Sequence, residues 1–388
     1  VEKIRQSPTL WVGPVQGGEY LDLVEYSARR LGELSFHLYA LGSPTQVMER
    51  YLFPLLVDMI MVAKRNLPMD RPFHLFGAGH PFMFALAVAL GCDLFDSAAY
   101  ALYARDGRYL LPYGTRRLEE LSYLPCSCPV CRGHDVEDLK EMPALMRVSL
   151  LAEHNLYVSM AEVDRIKQAM REGTLWELLE VRCRSHPALA SALRHLAKYS
   201  DDLEKGAPSF KGRGLFYYDS ASLSRPEITR HRKRLLENYQ PPKEADALLL
   251  LPAPNRKPFD KTPEYGQLMT EVMEALGDKY PRLHTCVYAP PFGVVPLELS
   301  ETYPLSQYEM AHPPDAETLD YVASCVESYL LKRCYRLVVL QDDKVFGSKL
   351  RTACERACRG TGTNLLVSSV EEPWSSENLS RLIDLLRN

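Results

Sequence analysis

The sequence has no run of about 18 apolar residues and no recognisable secretory leader; its most apolar stretch, residues 82–90, has only the length of a buried helix. No membrane span is therefore expected. No G-x-G-x-x-G or P-loop stands at a strand end, which argues against a nucleotide cofactor. Charge of one sign is also scarce. With 46 Lys and Arg against 50 Asp and Glu, the net charge of −4 supplies no bulk attraction to nucleic acid, so RNA contact would have to come from local patches. A disulfide framework is lacking too: Cys92, Cys183, Cys286, Cys325, Cys334, Cys354 and Cys358 are scattered without a pairing pattern, and a reducing cytoplasm is the simplest setting.

What is present is a cluster of the other three cysteines. Cys126-Ser127-Cys128-Pro129-Val130-Cys131 is followed 23 residues later by His154 in a helical segment. Three thiolates and one imidazole complete a tetrahedral shell with no open position, the composition of structural zinc, one ion per chain. Reactive or disulfide-forming cysteines are the competing reading. Met146, Leu150, Leu151, Tyr157 and Met160 fall near helical spacing, which would turn His154 toward the cysteine loop.

The first third alternates short apolar strands with amphipathic helices. Strands are predicted at 10–15, 36–41, 73–76 and 94–95, and helices at 20–34, 45–63 and 81–90; each strand ends in glycine or a small polar residue. Four such units argue for parallel strands with helical crossovers. A closed eight-stranded barrel needs about 250 residues and twice as many units. Residues 1–205 accordingly read as the C-terminal half of a TIM-type (β/α)8 barrel, with a zinc-binding insertion at about 115–200. A loose stretch near 206–214 then leads into a basic helix at 225–234. Strands at 247–251, 284–288, 336–340 and 364–367, separated by helices, make residues 206–388 a smaller α/β three-layer domain.

Three runs carry a resemblance: Phe76-Gly77-Ala78-Gly79-His80-Pro81, Gly91-Cys92-Asp93-Leu94-Phe95-Asp96-Ser97, and the cysteine cluster after Pro125. With Gly13-Pro14-Val15-Gln16-Gly17-Gly18 and Tyr39-Ala40-Leu41-Gly42-Ser43, they resemble the tRNA-guanine transglycosylase family, most of all its archaeal, preQ0-inserting branch. Ser224-Arg225-Pro226-Glu227 and the segment from Pro291 to Ser300 resemble the post-barrel region of the archaeal enzymes. The resemblance implies that Asp96 is the nucleophile on the ribose of a D-loop guanine, leaving a covalent ester that preQ0 then displaces with retention. It implies that Gln16, Gly42 and Ser43 line the base pocket, that Phe76 stacks on the base and that Arg105 contacts the tRNA backbone. A homodimer with its zinc region near the interface is likewise implied.

The family also uses a second aspartate as general acid/base, from the first half of the barrel. This segment and the RNA-binding PUA domain are not recognisable here, so a partial sequence, or one chain of a split enzyme whose partner carries the missing half, is expected. A non-catalytic zinc subunit is the alternative. Another is the paralogue archaeosine synthase, but its cysteine signature is broken: Lys257-Pro258 stand, while Ala253, Phe259, Thr262 and Tyr265 replace its cysteine, tyrosine, serine and histidine. A reading outside the family is a zinc-stabilised RNA-binding protein using Arg225, Arg230, Arg232, Lys233 and Arg234.

Overall fold

The computed structural model describes residues 8–369, 371 and 373–387. Two compact units divide the chain at Gly206/Ala207. No helix among the described residues is long and apolar enough to cross a membrane.

In the first unit the parallel sheet forms in chain order, from β1 (Val12–Val15), β2 (Leu38–Leu41), β3 (Phe73–Leu75) and β4 (Leu94–Phe95). The crossovers are α1 (Leu21–Gly32), then α2 (Thr45–Glu49) and α3 (Phe53–Arg65), then α4 (Phe84–Ala89). Sequential parallel pairing with helical returns is how consecutive strands of a (β/α)8 barrel are arranged. α1 buries Val24 and Ala28, one turn apart, with Asp22 in its first turn and Arg29 and Arg30 in its last, matching the helix dipole. The single helix expected over 45–63 is two. Tyr51 takes a left-handed φ of 57°, which ends α2, and a proline in the first turn starts α3 afresh.

After α5 (Ala99–Arg105), an antiparallel hairpin of β5 (Arg108–Leu111) and β6 (Gly114–Arg117) precedes the cysteine cluster. The helices α6 (Pro129–Gly133), α7 (Val136–Glu141), α8 (Ala144–Glu172), α9 (Leu175–Cys183), α10 (Pro187–His195) and α11 (Ser200–Gly206) complete the unit. α8 turns His154 inward toward the cysteine loop, as the helical spacing implies. Leu151, His154, Asn155, Val158, Glu162, Ile166 and Ala169 are buried, whereas Met146, Tyr157 and Met160 are exposed. The polar members are satisfied individually. Glu162, wholly buried, takes both Nε (2.6 Å) and Nη2 (2.9 Å) of Arg182 in a bidentate pair that ties α8 to α9.

The second unit holds β7 (Leu215–Tyr217), α12 (Pro226–Glu237), β8 (Ala247–Pro252), α13 (Pro263–Leu276), β9 (Leu283–Ala289), β10 (Gly293–Pro296), β11 (Tyr308–Met310), α14 (Ala316–Lys332), β12 (Leu337–Asp342), α15 (Lys349–Thr361), β13 (Asn364–Ser369) and α16 (Ser376–Arg387). Its main sheet runs β10-β9-β8-β12-β13, parallel except for the edge strand β10; β7 and β11 pair separately. The strands are largely apolar because both faces are covered. Leu249, Leu251 and Val339 pack on one side, whose core also takes in Tyr265 and Leu268 of α13 and Leu382 of α16. Leu248, Leu250 and Val338 face the other, with Val326 of α14 and Leu350 of α15. The basic helix expected at 225–234 also differs. Arg225 is its N-cap, only 1% exposed, with its guanidinium 4.7 Å from the Tyr217 ring centre and paired to Glu227. Arg230 donates to the Ala207 and Pro208 carbonyls. Both cations serve internal bonds, and Arg225 is buried rather than a solvated surface charge.

One carboxylate in the first unit sets a pH test. Asp58 on α3 accepts bonds from His195 (2.8 Å), Lys198 (2.8 Å) and Tyr199 (2.5 Å). Burial alone would raise its pKa, but the bonds from Lys198, Tyr199 and His195 prevail and hold it below the usual carboxylate value. A depressed folded pKa means stabilisation that is complete above the unfolded value and lost as pH falls through the folded one. Asp58→Asn should therefore lower stability by about 1–2 kcal/mol at pH 7, and the gap between the melts of the two proteins should shrink as pH falls below the ordinary carboxylate value of 3.8. A difference that persists undiminished at pH 3 would refute this account.

Candidate active site and metal centre

The C-terminal tips of parallel strands gather side chains from different crossovers into one place, because every strand ends at the same edge. At the tips of β1 and β2 the decisive feature is a missing side chain. Gly42 lies so close under Gln16 that a Cβ would come within 2.5 Å of its amide nitrogen. Glycine thus lets the Gln16 amide lie flat across the β2 tip. Ser43, at a left-handed φ of 61°, turns its hydroxyl toward that amide, and Oγ donates to Oε1 of Gln16 at 3.3 Å. With Oε1 engaged, the amide nitrogen of Gln16 is left to donate to a ligand. Ser43, Gly18, Thr45 and Gln46 border a cavity of about 720 Å³ at this edge. Asp96 does not line it.

Asp96 follows β4 directly and is exposed, 63% at its side chain. The register that pairs His74 with Leu94 and Leu75 with Phe95 brings β3's end level with it. Two donors converge on one oxygen: His74 Nε2 lies 3.0 Å from Oδ1, and the Gly77 amide 3.1 Å from the same atom. Gly77 has φ 62°, and a Cβ there would also press on Thr45 Oγ1 at 2.8 Å, so the turn that aims this amide needs glycine. The ring of Phe76 is half-buried and lies 4.7 Å from that of His74. The geometry is that of a carboxylate with one oxygen fixed and the other available, at a strand tip beside an aromatic face. Arg105 is exposed in the last turn of α5, where a cation also suits the helix end.

The second cluster assembles as the spacing anticipated. The ligand atoms of Cys126, Cys128, Cys131 and His154 all lie within 4.8 Å of one another. His154 Nδ1 is 3.4 Å from the Cys128 sulfur and 3.3 Å from that of Cys131, while Nε2 lies 3.0 Å from the Leu110 carbonyl. Since a carbonyl only accepts, Nε2 carries the proton and Nδ1 turns its lone pair to the thiols. Tyr109 stacks on the imidazole at 3.7 Å and hydrogen-bonds Cys131 Sγ at 3.2 Å. Asn155, next in α8, holds the β5 backbone: its Oδ1 accepts from the Leu110 amide (2.8 Å), and its Nδ2 donates to the Tyr100 (3.1 Å) and Arg108 (3.0 Å) carbonyls. Burial pushes the Cys131 thiol up to about 12, raises Cys128, and lowers His154 to about 4. A group that resists charging on its own, yet converges three sulfurs and a lone pair, fits a soft divalent cation such as zinc, which stabilises thiolates by coordination.

All the expected ligands of the metal cluster come together, and Gln16, Gly42 and Ser43 form one contiguous group. Asp96 and Phe76 form another around His74, a residue that pattern reading did not single out. A lone histidine on a strand carries no sequence signal. Only its position two residues before Phe76, combined with the β3–β4 register, points it at Asp96.

The profile of the family described as queuine tRNA-ribosyltransferase matches residues 1–188, and that of a domain of unknown function (DUF5591) matches residues 228–386. The chain is 45% identical over 328 residues to the tRNA-guanine(15) transglycosylase of Aeropyrum pernix, covering 82% of this chain and 61% of the relative. It is 41% identical to the enzyme of that name from Saccharolobus solfataricus, over 88% of this chain and 67% of the relative. For that of Sulfolobus acidocaldarius the identity is 39%, over 95% of this chain and 70% of the relative. The chain thus matches roughly three fifths to seven tenths of the length of these proteins.

The cysteine–histidine group yields a direct expectation. Elemental analysis should find about one zinc per chain, and Cys128→Ser should lose it and lower the melting temperature of the first unit by at least about 5 °C. Metal-free protein with an unchanged melt would rule the group out as a zinc site.

Proposed function

We propose, from the premise that the chain belongs to the tRNA-guanine transglycosylase (queuine tRNA-ribosyltransferase) family, that it exchanges a guanine in the tRNA D-loop for preQ0 through a covalent intermediate on Asp96. The observation that carries this reading is the Asp96 carboxylate at the β4 tip, fixed through Oδ1 by His74 and Gly77. The free oxygen attacks C1′ of the guanosine, and the C1′–N9 bond breaks with its electron pair passing to the purine. The purine takes a proton from a carboxylic acid, which the family resemblance puts on an earlier barrel strand. The incoming base, giving up its proton, then displaces the aspartyl ester. Two displacements at one carbon retain configuration.

The Gln16 amide, held by Ser43, donates to an acceptor on the base edge, and Phe76 offers it a stacking face. Arg105 lies on the surface where a phosphate could be met. Cys126, Cys128, Cys131 and His154 hold one structural Zn2+, whose chemistry is to bind the cysteine loop to α8. The exposed face of α8, with Met146 (54%), Tyr157 (42%) and Met160 (51%), suits a homodimer contact. Ten free cysteines accord with a cytoplasmic setting. Synthase chemistry in the second unit is disfavoured. Ala253 has no nucleophile, and Phe259 and Tyr265, at two other signature positions, are wholly buried in the core.

Three measurements test the proposal. Labelled guanine should exchange into unmodified tRNA, and Asp96→Asn should abolish both exchange (at least about 10³-fold) and a trappable protein–tRNA adduct. Exchange seen only after adding a polypeptide with further barrel strands would mark this chain as one part of a split enzyme. Failure under both conditions would favour the non-catalytic subunit. For the dimer, Tyr157→Asp with Met160→Asp should halve the mass seen in sedimentation; an unchanged mass would exclude this face.

A further inference from the structure

We infer that His74 is a positioning residue for the nucleophile: with the Gly77 amide it forms a two-donor seat on Oδ1 of Asp96, designating Oδ2 as the attacking oxygen. The inference rests on the proposed role of Asp96 and deepens it. Both bonds, at 3.0 and 3.1 Å, end on Oδ1. An exposed aspartate otherwise rotates freely about its last torsion and presents either oxygen in many directions. Here the seat is built from elements that cannot easily shift. His74 sits within β3, paired to Ala40 on one side and Leu94 on the other, and its side chain is only 19% exposed. Its ring is flanked by Phe76 at 4.7 Å. Gly77 keeps a left-handed φ, and Thr45 Oγ1 stands where any Cβ would lie, so the turn admits only glycine.

The same two donors act in both halves of the exchange. In the first, the Oδ2–C1′ bond forms as C1′–N9 breaks, the bonding pair leaves with the purine, and the purine is protonated by the carboxylic acid invoked above. Asp96 becomes a neutral ester with Oδ1 as its carbonyl oxygen. In the second, the nitrogen of the incoming base bonds to C1′, its proton passes to the conjugate carboxylate, and the C1′–Oδ2 pair returns to Asp96. Negative charge then redevelops across the carboxylate and is received on Oδ1 by donors already in place. Such preorganised donors stabilise developing charge without reorganisation at the moment of reaction. His74 needs only a proton on Nε2 for this and transfers none.

The test compares the full chain with His74→Ala and His74→Gln, whose side-chain amide reaches the place of Nε2, under the conditions in which the unsubstituted protein exchanges guanine. His74→Ala should lower kcat about 10²-fold with KM for tRNA changed less than about threefold, and should slow single-turnover adduct formation in parallel. His74→Gln should recover kcat to within about fivefold of the parent. The inference is overturned if His74→Ala reacts at the parental rate. It is equally overturned if His74→Gln, folded with an unchanged melt, is as slow as His74→Ala, because His74 would then be serving packing alone. An unsubstituted protein that forms no adduct under any condition would overturn the underlying reading of Asp96 instead, and Asp96→Asn separates the two failures.

Discussion

The site depends first on a register of two residue pairs. The ladder between β3 and β4 consists of His74 opposite Leu94 and Leu75 opposite Phe95. Slipping that pairing by one residue would reverse the facing of every side chain on the strand. His74 would then turn away from Asp96, and the Gly77 amide would miss Oδ1. The register is supported from outside the strands. The Phe73 amide donates to Asp93 Oδ2 at 2.8 Å, and the Asp93 amide donates to the Phe73 carbonyl at 2.8 Å. A side chain and a backbone group thus clamp the entry to both strands, where the ladder itself is too short to fix them.

How much of this was legible in the sequence differs between the units for a physical reason. In the second unit both faces of the sheet are covered, so β8 and the start of β12 read as apolar runs and β9 as a mostly apolar one, and the predicted bounds lie within a residue or two of the observed ones. β10 was missed. It is a four-residue edge strand ending in Pro296, which looks like a loop unless its antiparallel partner is known. In the first unit the four strands and their order followed from apolar segments ending in glycine or small polar residues. The turn of α8 toward the cysteine loop followed as well. The make-up of its inner side did not: it is rich in polar residues, His154, Asn155 and Glu162, each satisfied by a specific partner, while Met146, Tyr157 and Met160 lie exposed on the other side.

For the site, the cysteine spacing was sufficient to anticipate the cluster, since three cysteines and a histidine at those intervals have few other uses. Asp96, Gln16 and Phe76 were singled out by resemblance, not by their own chemistry. A carboxylate after a strand is as often a cap or a surface charge as a nucleophile. What the fold adds is the asymmetry between the two oxygens of Asp96 and the amide of Gln16 turned by Ser43, neither of which has a trace in composition or spacing.

The bonds made by the Asn155 side chain all end on backbone atoms: one amide and two carbonyls, from Tyr100, Arg108 and Leu110. A peptide group offers the same donor and acceptor whatever side chain it carries. The three partner positions are therefore released from any requirement this contact imposes and are free to drift, while the whole demand falls on position 155, where aspartate would lack the two donors and leucine all three bonds. The demand of this contact is thus very uneven, negligible on the side chains at positions 100, 108 and 110 and nearly absolute at the helix position next to His154.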